Sequence, residues 1–512
     1  MDRFSSEFLR SPRALVRALI LGALVVLTIG VPAHGQPDRP PTHVAAPYED
    51  AADRGRTLLR ALMDAEQIPG LSVAVAVDGE IVWAEGLGWA DLERGVAVTP
   101  ETRFRLASVS KLFTAATVAR LADDGRLDLD APVQQYATAF PDSLGPITSR
   151  QLAGHLGGIR HYQAGDYAPG ENIDRQVFES TTDALRIFAG DSLVAAPGAA
   201  YHYSTFGYTL LSAAAAGASA DSTFLGALQH EVLRPLDLHS IAADRQDRLV
   251  ARRSVPYGRG EDGEPVPARH IRSTYKWGGG GLLGTATDLV RFAEALRTPG
   301  FLSAPMQETM FSTQRTADGT ETNVGLGWRL GTGVDGRRIW HHAGAIAGGR
   351  SFLMTYPDDG VTLALLSNRS FGPGFPALTA QHVAAPFLSP DSSFVPADDL
   401  PSGTFDVILR TDADTTTGTL HLTGTADDAG WMTTPPQLLA LATQFGLAVP
   451  ARVPLVRATR QNGRVHAVTG SFFGLQTLRL RIDDDRVTGS VLEYVEDPAL
   501  HSYRTTITGQ RR

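Results

Sequence analysis

The sequence predicts an α+β fold: an antiparallel sheet assembled from early and late strands, followed by a small, mainly β domain. Three observations lead there. Residues 71–77 and 81–86 are short alternating runs joined by Asp78 and Gly79, which is hairpin turn chemistry. Between about residues 130 and 260 the pattern is mostly helical or irregular, and strand character returns only at 338–340, 351–356 and 361–367. Beyond Asp399 the text becomes threonine- and valine-rich alternation, as in 419–423 and 478–482.

Taken in order, the chain begins with Arg10, Arg13 and Arg17, an apolar stretch over 18–31, then small residues at Ala33 and Gly35. This pattern predicts an export signal over 1–35, cleaved before Gln36, and a periplasmic or extracellular mature chain. The apolar stretch is shorter than the ~20 residues a spanning helix needs, so a membrane contact is expected only if the signal stays uncleaved. Residues 36–50, rich in Pro and Ala, are expected to be a linker. Leu58, Leu59, Leu62 and Met63 give helical spacing over 53–67. Leu112, Phe113, Ala116, Val118, Ala119 and Leu121 predict a second helix over 110–123, with Gly125 placed to end it. The main domain is expected over 51–388, a linker over 389–402, and the mainly β domain over 403–512, with a hairpin turn at Asp483 to Arg486.

With 512 residues, 43% apolar, 20% charged and a net charge of −9, the chain reads as a mildly acidic globular protein of two domains with no reason to seek nucleic acid. It contains no cysteine, which excludes disulfides, a thiol nucleophile and cysteine metal sites. Any covalent chemistry must use oxygen.

Lysine is almost absent. Of 46 basic Lys and Arg residues only Lys111 and Lys276 are lysines, and Lys111 follows Ser108 by three positions at the start of an apolar helix. A lysine kept against such a bias suggests an amine that must lose its proton, which arginine cannot do. Ser108 and Lys111, one turn apart, face the same side, so the amine can take the hydroxyl proton and turn a weak alcohol into a nucleophile. The bland alternative is a capping serine beside a surface lysine.

Residues 104–111 (FRLASVSK), followed by 121–132 (LADDGRLDLDAP), resemble the serine β-lactamase and penicillin-binding-protein superfamily in its class C-like, esterase and peptidase branch. The resemblance spans roughly residues 50 to 385. Residues 151–162 (QLAGHLGGIRHY) and 203–210 (YSTFGYTL) are most similar to the mitochondrial serine β-lactamase-like protein of animals and its bacterial relatives. It implies an antiparallel sheet flanked by helices, a helical subdomain, and an active site between them. The family's Y-x-N motif corresponds to Tyr203-Ser204-Thr205, with the tyrosine kept and threonine where asparagine stands. That implies Tyr203 as base toward Ser108 and acid toward the leaving group, and a hydroxyl in place of a substrate-holding amide. His342-Ala343-Gly344 corresponds to the strand motif H-x-G. It implies His342 lining the pocket, and Ser108 and Ala345 N–H groups as the oxyanion hole. His341, its neighbour, faces the other way on a strand.

Lys276 precedes Trp277 and the run Gly278 to Gly281. The run lacks the ending of a phosphate loop, and Lys276 is either a substrate contact or structural. Thr285 or Thr287 is the expected cap of the following helix. His155 and His161 have no metal-ligand spacing, and no cofactor is expected. The function implied is an exported serine hydrolase acting through an acyl-enzyme on a peptide amide or ester. A β-lactamase or D-Ala-D-Ala carboxypeptidase is the alternative within that class, and a scaffold that lost catalysis is the alternative outside it. The partner expected is a small-molecule or peptide substrate, with self-association left open.

Overall fold

The computed structural model describes residues 42–260, 263–333, 336–370, 377–388, 401–411, 414–425, 430–435, 451–461, 464–471, 474–495 and 501–512. The proposed export signal and most of the inter-domain linker lie outside them. Helix α1 (Glu49–Glu66) leads into the hairpin β1 (Gly70–Val77) and β2 (Glu80–Asp91). Asp78 and Gly79 turn it with φ of 50° and 87°, the left-handed pair that a two-residue hairpin demands. The expected linker over 36–50 is corrected where it is described. Strand His43–Val44 pairs with β2, and Ala45 N donates to Val82 O at 2.9 Å, so the polar run covers a sheet edge.

The sheet is completed by β3 (Arg329–Thr332), β4 (Arg338–Ile346), β5 (Gly349–Tyr356) and β6 (Val361–Ser367), in the order β2-β1-β6-β5-β4-β3 with every pairing antiparallel. Early strands thus sit beside late ones. Alternate residues point to opposite faces. Val73, Val75, Phe352, Met354, Leu363 and Leu365 pack with α1 and with α5 (Ala377–Leu388), the last helix among the described residues. Ala74, Ala76, Leu353, Ala364 and Leu366 meet the opposite core. With both faces covered, the strands read as continuous apolar runs rather than as clean alternation.

The second core holds α2 (Ser110–Asp123), α3 (Thr205–Ala218) and α4 (Ala286–Arg297). Helix α2 is buried on nearly every side, which explains why its sequence is apolar all round. Thr285 caps α4, accepting from Asp288 N at 3.2 Å. The residues between 130 and 204 form only short helical turns and loops lying over α3.

Eight antiparallel strands close into a barrel: β7 (Ser402–Arg410), β8 (Thr415–Thr423), β9 (Gly430–Thr433), β10 (Arg452–Gln461), β11 (Arg464–Ser471), β12 (Gly474–Asp483), β13 (Arg486–Val495) and β14 (His501–Arg511). Phe405, Val407, Leu409, Leu478, Leu480 and Ile507 fill it, and closure removes every sheet edge. Strands β10 to β12 pack against α1, and β12 against α5. Among the described residues no helix is long and apolar enough to cross a membrane.

Candidate active site

Ser108 sits in a short turn (Ala107–Val109) that runs directly into α2. Ala107 has φ of 45°, a left-handed conformation that costs a non-glycine residue on the order of 1–3 kcal/mol and persists where surrounding structure enforces it. The enforcement is visible. Strand Phe104–Arg105 pairs with Leu282–Gly284, Leu106 N donates to Leu282 O at 2.9 Å, and Leu282 N donates to Ser110 Oγ at 3.1 Å. From the other side Ser351 Oγ donates to Leu106 O at 2.6 Å. A Cβ on Gly344 would collide with Leu106 O and Ser351 Oγ, so glycine there lets β4 lie directly against the turn that carries Ser108.

Lys111 is fully buried. Its Nζ lies 3.3 Å from Ser108 Oγ, 3.1 Å from Thr205 Oγ1 and 2.5 Å from Gly279 O. Burial lowers its pKa well below the ordinary lysine value, and the charge of Arg329 lowers it further. A neutral amine has two N–H bonds and one lone pair. Gly279 O and Thr205 Oγ1 take the two N–H donors, which leaves the lone pair for the hydroxyl of Ser108.

Tyr203 is half-buried beside this group, its ring centroid 4.9 Å from Lys111 Nζ. The rings of His155 and His161 lie 4.4 Å and 5.4 Å from it, and Arg329 stands 5.9 Å off its face. The two histidines also order the start of α3. Ser204 N donates to His155 Nδ1 and Thr205 N to His161 Nδ1, both at 3.1 Å, while Ser204 Oγ accepts from Gly207 N as the helix cap. Burial lowers the pKa of both imidazoles, that of His161 to about 4. With Nδ1 accepting, the neutral ring of His161 carries its proton on Nε2.

His342 and Gly344 share one face of β4, toward Ser108. His341 faces the opposite core, stacked on Phe352 at 5.5 Å. His342 is 2% exposed, and burial first, then the charge of Arg329, lower its pKa well below the ordinary imidazole value. Its Nδ1 donates to Ala343 O at 2.7 Å, which leaves Nε2 as an acceptor. Strand β3 pairs with β4 only as far as His341, so His342 to Ala345 lie along a stretch of β4 that β3 does not cover. Ala345 is exposed there. Lys276, 6% exposed, lies over Tyr275 at 4.8 Å and Tyr162 at 5.6 Å, with Asp174 Oδ1 at 3.8 Å. The structure thus brings Ser108, Lys111, Tyr203, Thr205, His342 and Gly344 together, with Lys276 at the margin. Sequence reasoning passed over Gly279, whose role is a backbone carbonyl, and Arg329, which no motif marks. It named His155 and His161 but did not see that they accept from the N-terminus of α3.

A serine, a buried amine and a tyrosine lie together at the end of an all-antiparallel sheet, the arrangement of the β-lactamase fold. The family model described as Beta-lactamase matches residues 56–386, and the chain belongs to that family, whose members are serine hydrolases. It is similar to the mitochondrial serine beta-lactamase-like protein LACTB of Mus musculus, 28% identical over 421 residues, covering 64% of this chain and 76% of that protein. Esterase EstB of Burkholderia gladioli is 30% identical over 304 residues, 52% of this chain and 74% of its own. The octameric penicillin-binding protein homologue from Pyrococcus abyssi superposes with a TM-score of 0.56 at 19% identity, covering 89% of this chain and 99% of that one.

Proposed function

We propose that this chain is an exported serine hydrolase that cleaves a peptide amide or ester through an acyl-enzyme on Ser108. The observation that carries the reading is the arrangement of Lys111: a buried amine with two acceptors for its N–H groups and its third position turned to Ser108 Oγ. In the first step Ser108 Oγ passes its proton to the Lys111 amine and bonds to the substrate carbonyl carbon. The carbonyl oxygen becomes an oxyanion held by the N–H groups of Ser108 and Ala345. Tyr203, between Lys111 and the two histidines, delivers a proton to the leaving nitrogen or oxygen as its bond to carbon breaks. Water then attacks the acyl carbon, gives its proton to the same pair, and Ser108 leaves with its proton restored. His342 Nε2 accepts a hydrogen bond from substrate along the open stretch of β4.

Export rests on the basic, apolar and small-residue pattern of 1–35. The activity named for the esterase relative supports acyl transfer to water, and the octameric state named for the Pyrococcus abyssi homologue supports self-association. Hydrolysis of 4-nitrophenyl acyl esters by the signal-free chain, compared with Ser108→Ala, tests the reading. Turnover lost in the variant supports it, and equal release from both overturns it.

A further inference from the structure

Lys111 is held from one side by a stretch of chain that has no side chains with which to hold itself. Gly278 O accepts from Thr114 Oγ1 at 2.8 Å and Gly279 O accepts from Lys111 Nζ at 2.5 Å, within the glycine run Gly278 to Gly281. Glycine is the residue that restricts its own backbone least. Close approach forbids anything larger here: a Cβ on Gly278 would strike Ser212 Oγ and Thr114 Oγ1, and one on Gly279 would strike Thr205. The two carbonyls therefore depend on anchors outside the run.

Those anchors converge on one carboxylate. Asp174 is 1% exposed, in a segment that no motif marks. Its Oδ1 accepts from the Tyr275 hydroxyl at 2.9 Å, its Oδ2 from Arg269 at 2.6 Å and its backbone O from Arg272 N at 2.8 Å, while Lys276 Nζ pairs with Oδ1 at 3.8 Å. Arg269, Arg272, Tyr275 and Lys276 are thus tied to a single buried residue just ahead of the glycines. Tyr275 O in turn accepts from Thr209 Oγ1 at 2.9 Å, one turn of α3 beyond Thr205, the other acceptor for Lys111. Burying a carboxylate is unfavourable unless it is paired and hydrogen-bonded, and among the described residues every ion-pair partner of Asp174 lies on this one segment.

We propose that Asp174 is the positioning residue for Lys111: it sets residues 269 to 277 so that the glycine turn presents the Gly279 carbonyl to the amine. Lys276 belongs to this anchor as the ammonium paired with Asp174. The consequence for rate rests on the hydrolase reading, and the placement of the turn does not.

Two measurements separate those dependencies. Tyr275→Phe removes one bond to Asp174 and no charge. It leaves in place the charged and titratable groups facing Lys111, which are Arg329, Lys276, Tyr203, Tyr208, His155, His161 and His342. Because the chain has only two lysines, isotopically labelled lysine gives two amine titrations by NMR, assigned with Lys276→Met. A hydrogen bond to the charged amine favours that form, so weakening the Gly279 contact lowers the titration midpoint of Lys111. We expect that fall in Tyr275→Phe and again in Asp174→Asn, which keeps the shape of the side chain without its charge. An unchanged or raised midpoint in Tyr275→Phe overturns the proposal, whether or not Asp174→Asn folds. The second measurement is the acylation rate with a 4-nitrophenyl ester, counted per Ser108 titrated by a fluorophosphonate. The limiting rate should fall about tenfold or more in Tyr275→Phe, the effect of one hydrogen bond to a charged group. A role confined to packing would lower Tm and leave the rate per titrated site at the wild-type value, which overturns the proposal. If ester and fluorophosphonate leave the wild type untouched while the Lys111 midpoint moves in Tyr275→Phe, the hydrolase reading fails and the positioning role stands.

Discussion

Lys111 and Gly279, 168 positions apart, are joined by a hydrogen bond of 2.5 Å from the amine to the backbone carbonyl. That contact, with Thr205 Oγ1 on the other side, fixes which way the amine's third position points. It predicts that Lys111→Ala loses acylation by roughly 10²–10⁴-fold, the contribution of a positioned general base. Lys111→Arg should do no better, because a guanidinium does not give up its proton. Stopped-flow acylation with a 4-nitrophenyl ester, alongside circular dichroism to verify the fold, measures this. A Lys111→Arg rate near wild type would remove proton transfer from the role of this residue.

The acylation rate should rise with pH along a single limb whose midpoint lies well below the ordinary lysine range. Burial first, and then Arg329, lower the pKa of Lys111, and only the neutral amine can accept the proton of Ser108. The rate therefore falls as pH drops through that midpoint. Removing the Arg329 charge with Arg329→Met should move the limb to higher pH, a shift read from the pH profile of kcat/KM. An unmoved limb would mean that Arg329 does not act on the amine.

Tyr203→Phe keeps the ring that packs on His155 and His161 but removes the hydroxyl. We expect kcat to fall by roughly 10²–10⁴-fold with KM little changed, as for loss of a proton donor. Equal losses in binding and turnover, read from steady-state kinetics, would recast Tyr203 as a substrate contact.

Stability should rise with pH on the acid side. His155, His161, His341, His342 and His382 are all held below the ordinary imidazole value by burial, His161 and His382 to about 4 and His341 to about 3. Between those values and 6.5 the unfolded chain binds more protons than the folded one, so ΔG of unfolding increases with pH by about 1.4 kcal/mol per unit for each net proton. Glu66 opposes this. Burial raises its carboxyl to about 8, so from 4.5 upward the folded state holds a proton that the unfolded state has lost. Thermal unfolding should show Tm climbing from pH 4 to 6.5, and more steeply in Glu66→Gln. A flat Tm through that window would contradict the burial of these rings.

Much of this fold was legible in the residues because its signals are local. Asp78-Gly79 announced the hairpin, the apolar periodicity of 110–123 coincides with helix α2 (Ser110–Asp123), and the alternation after 399 marked the mainly β domain. What could not be read were relations across the chain: the closure of eight strands into a barrel, and the pairing of Phe104–Arg105 with Leu282–Gly284 that orients Ser108. Backbone groups are equally silent in sequence. Gly279 was visible as one glycine of a run, and nothing in its type says that its carbonyl binds Lys111. His155 and His161 invited a metal question when their task is to accept from the start of α3.

The most direct test of the central claim, that Ser108 is a nucleophile prepared by Lys111, is intact-mass spectrometry of the signal-free chain after exposure to a fluorophosphonate. We expect one adduct per chain in the wild type, none in Ser108→Ala, and a greatly slowed adduct in Lys111→Ala. No adduct in the wild type, or the same adduct in Ser108→Ala, would contradict the account.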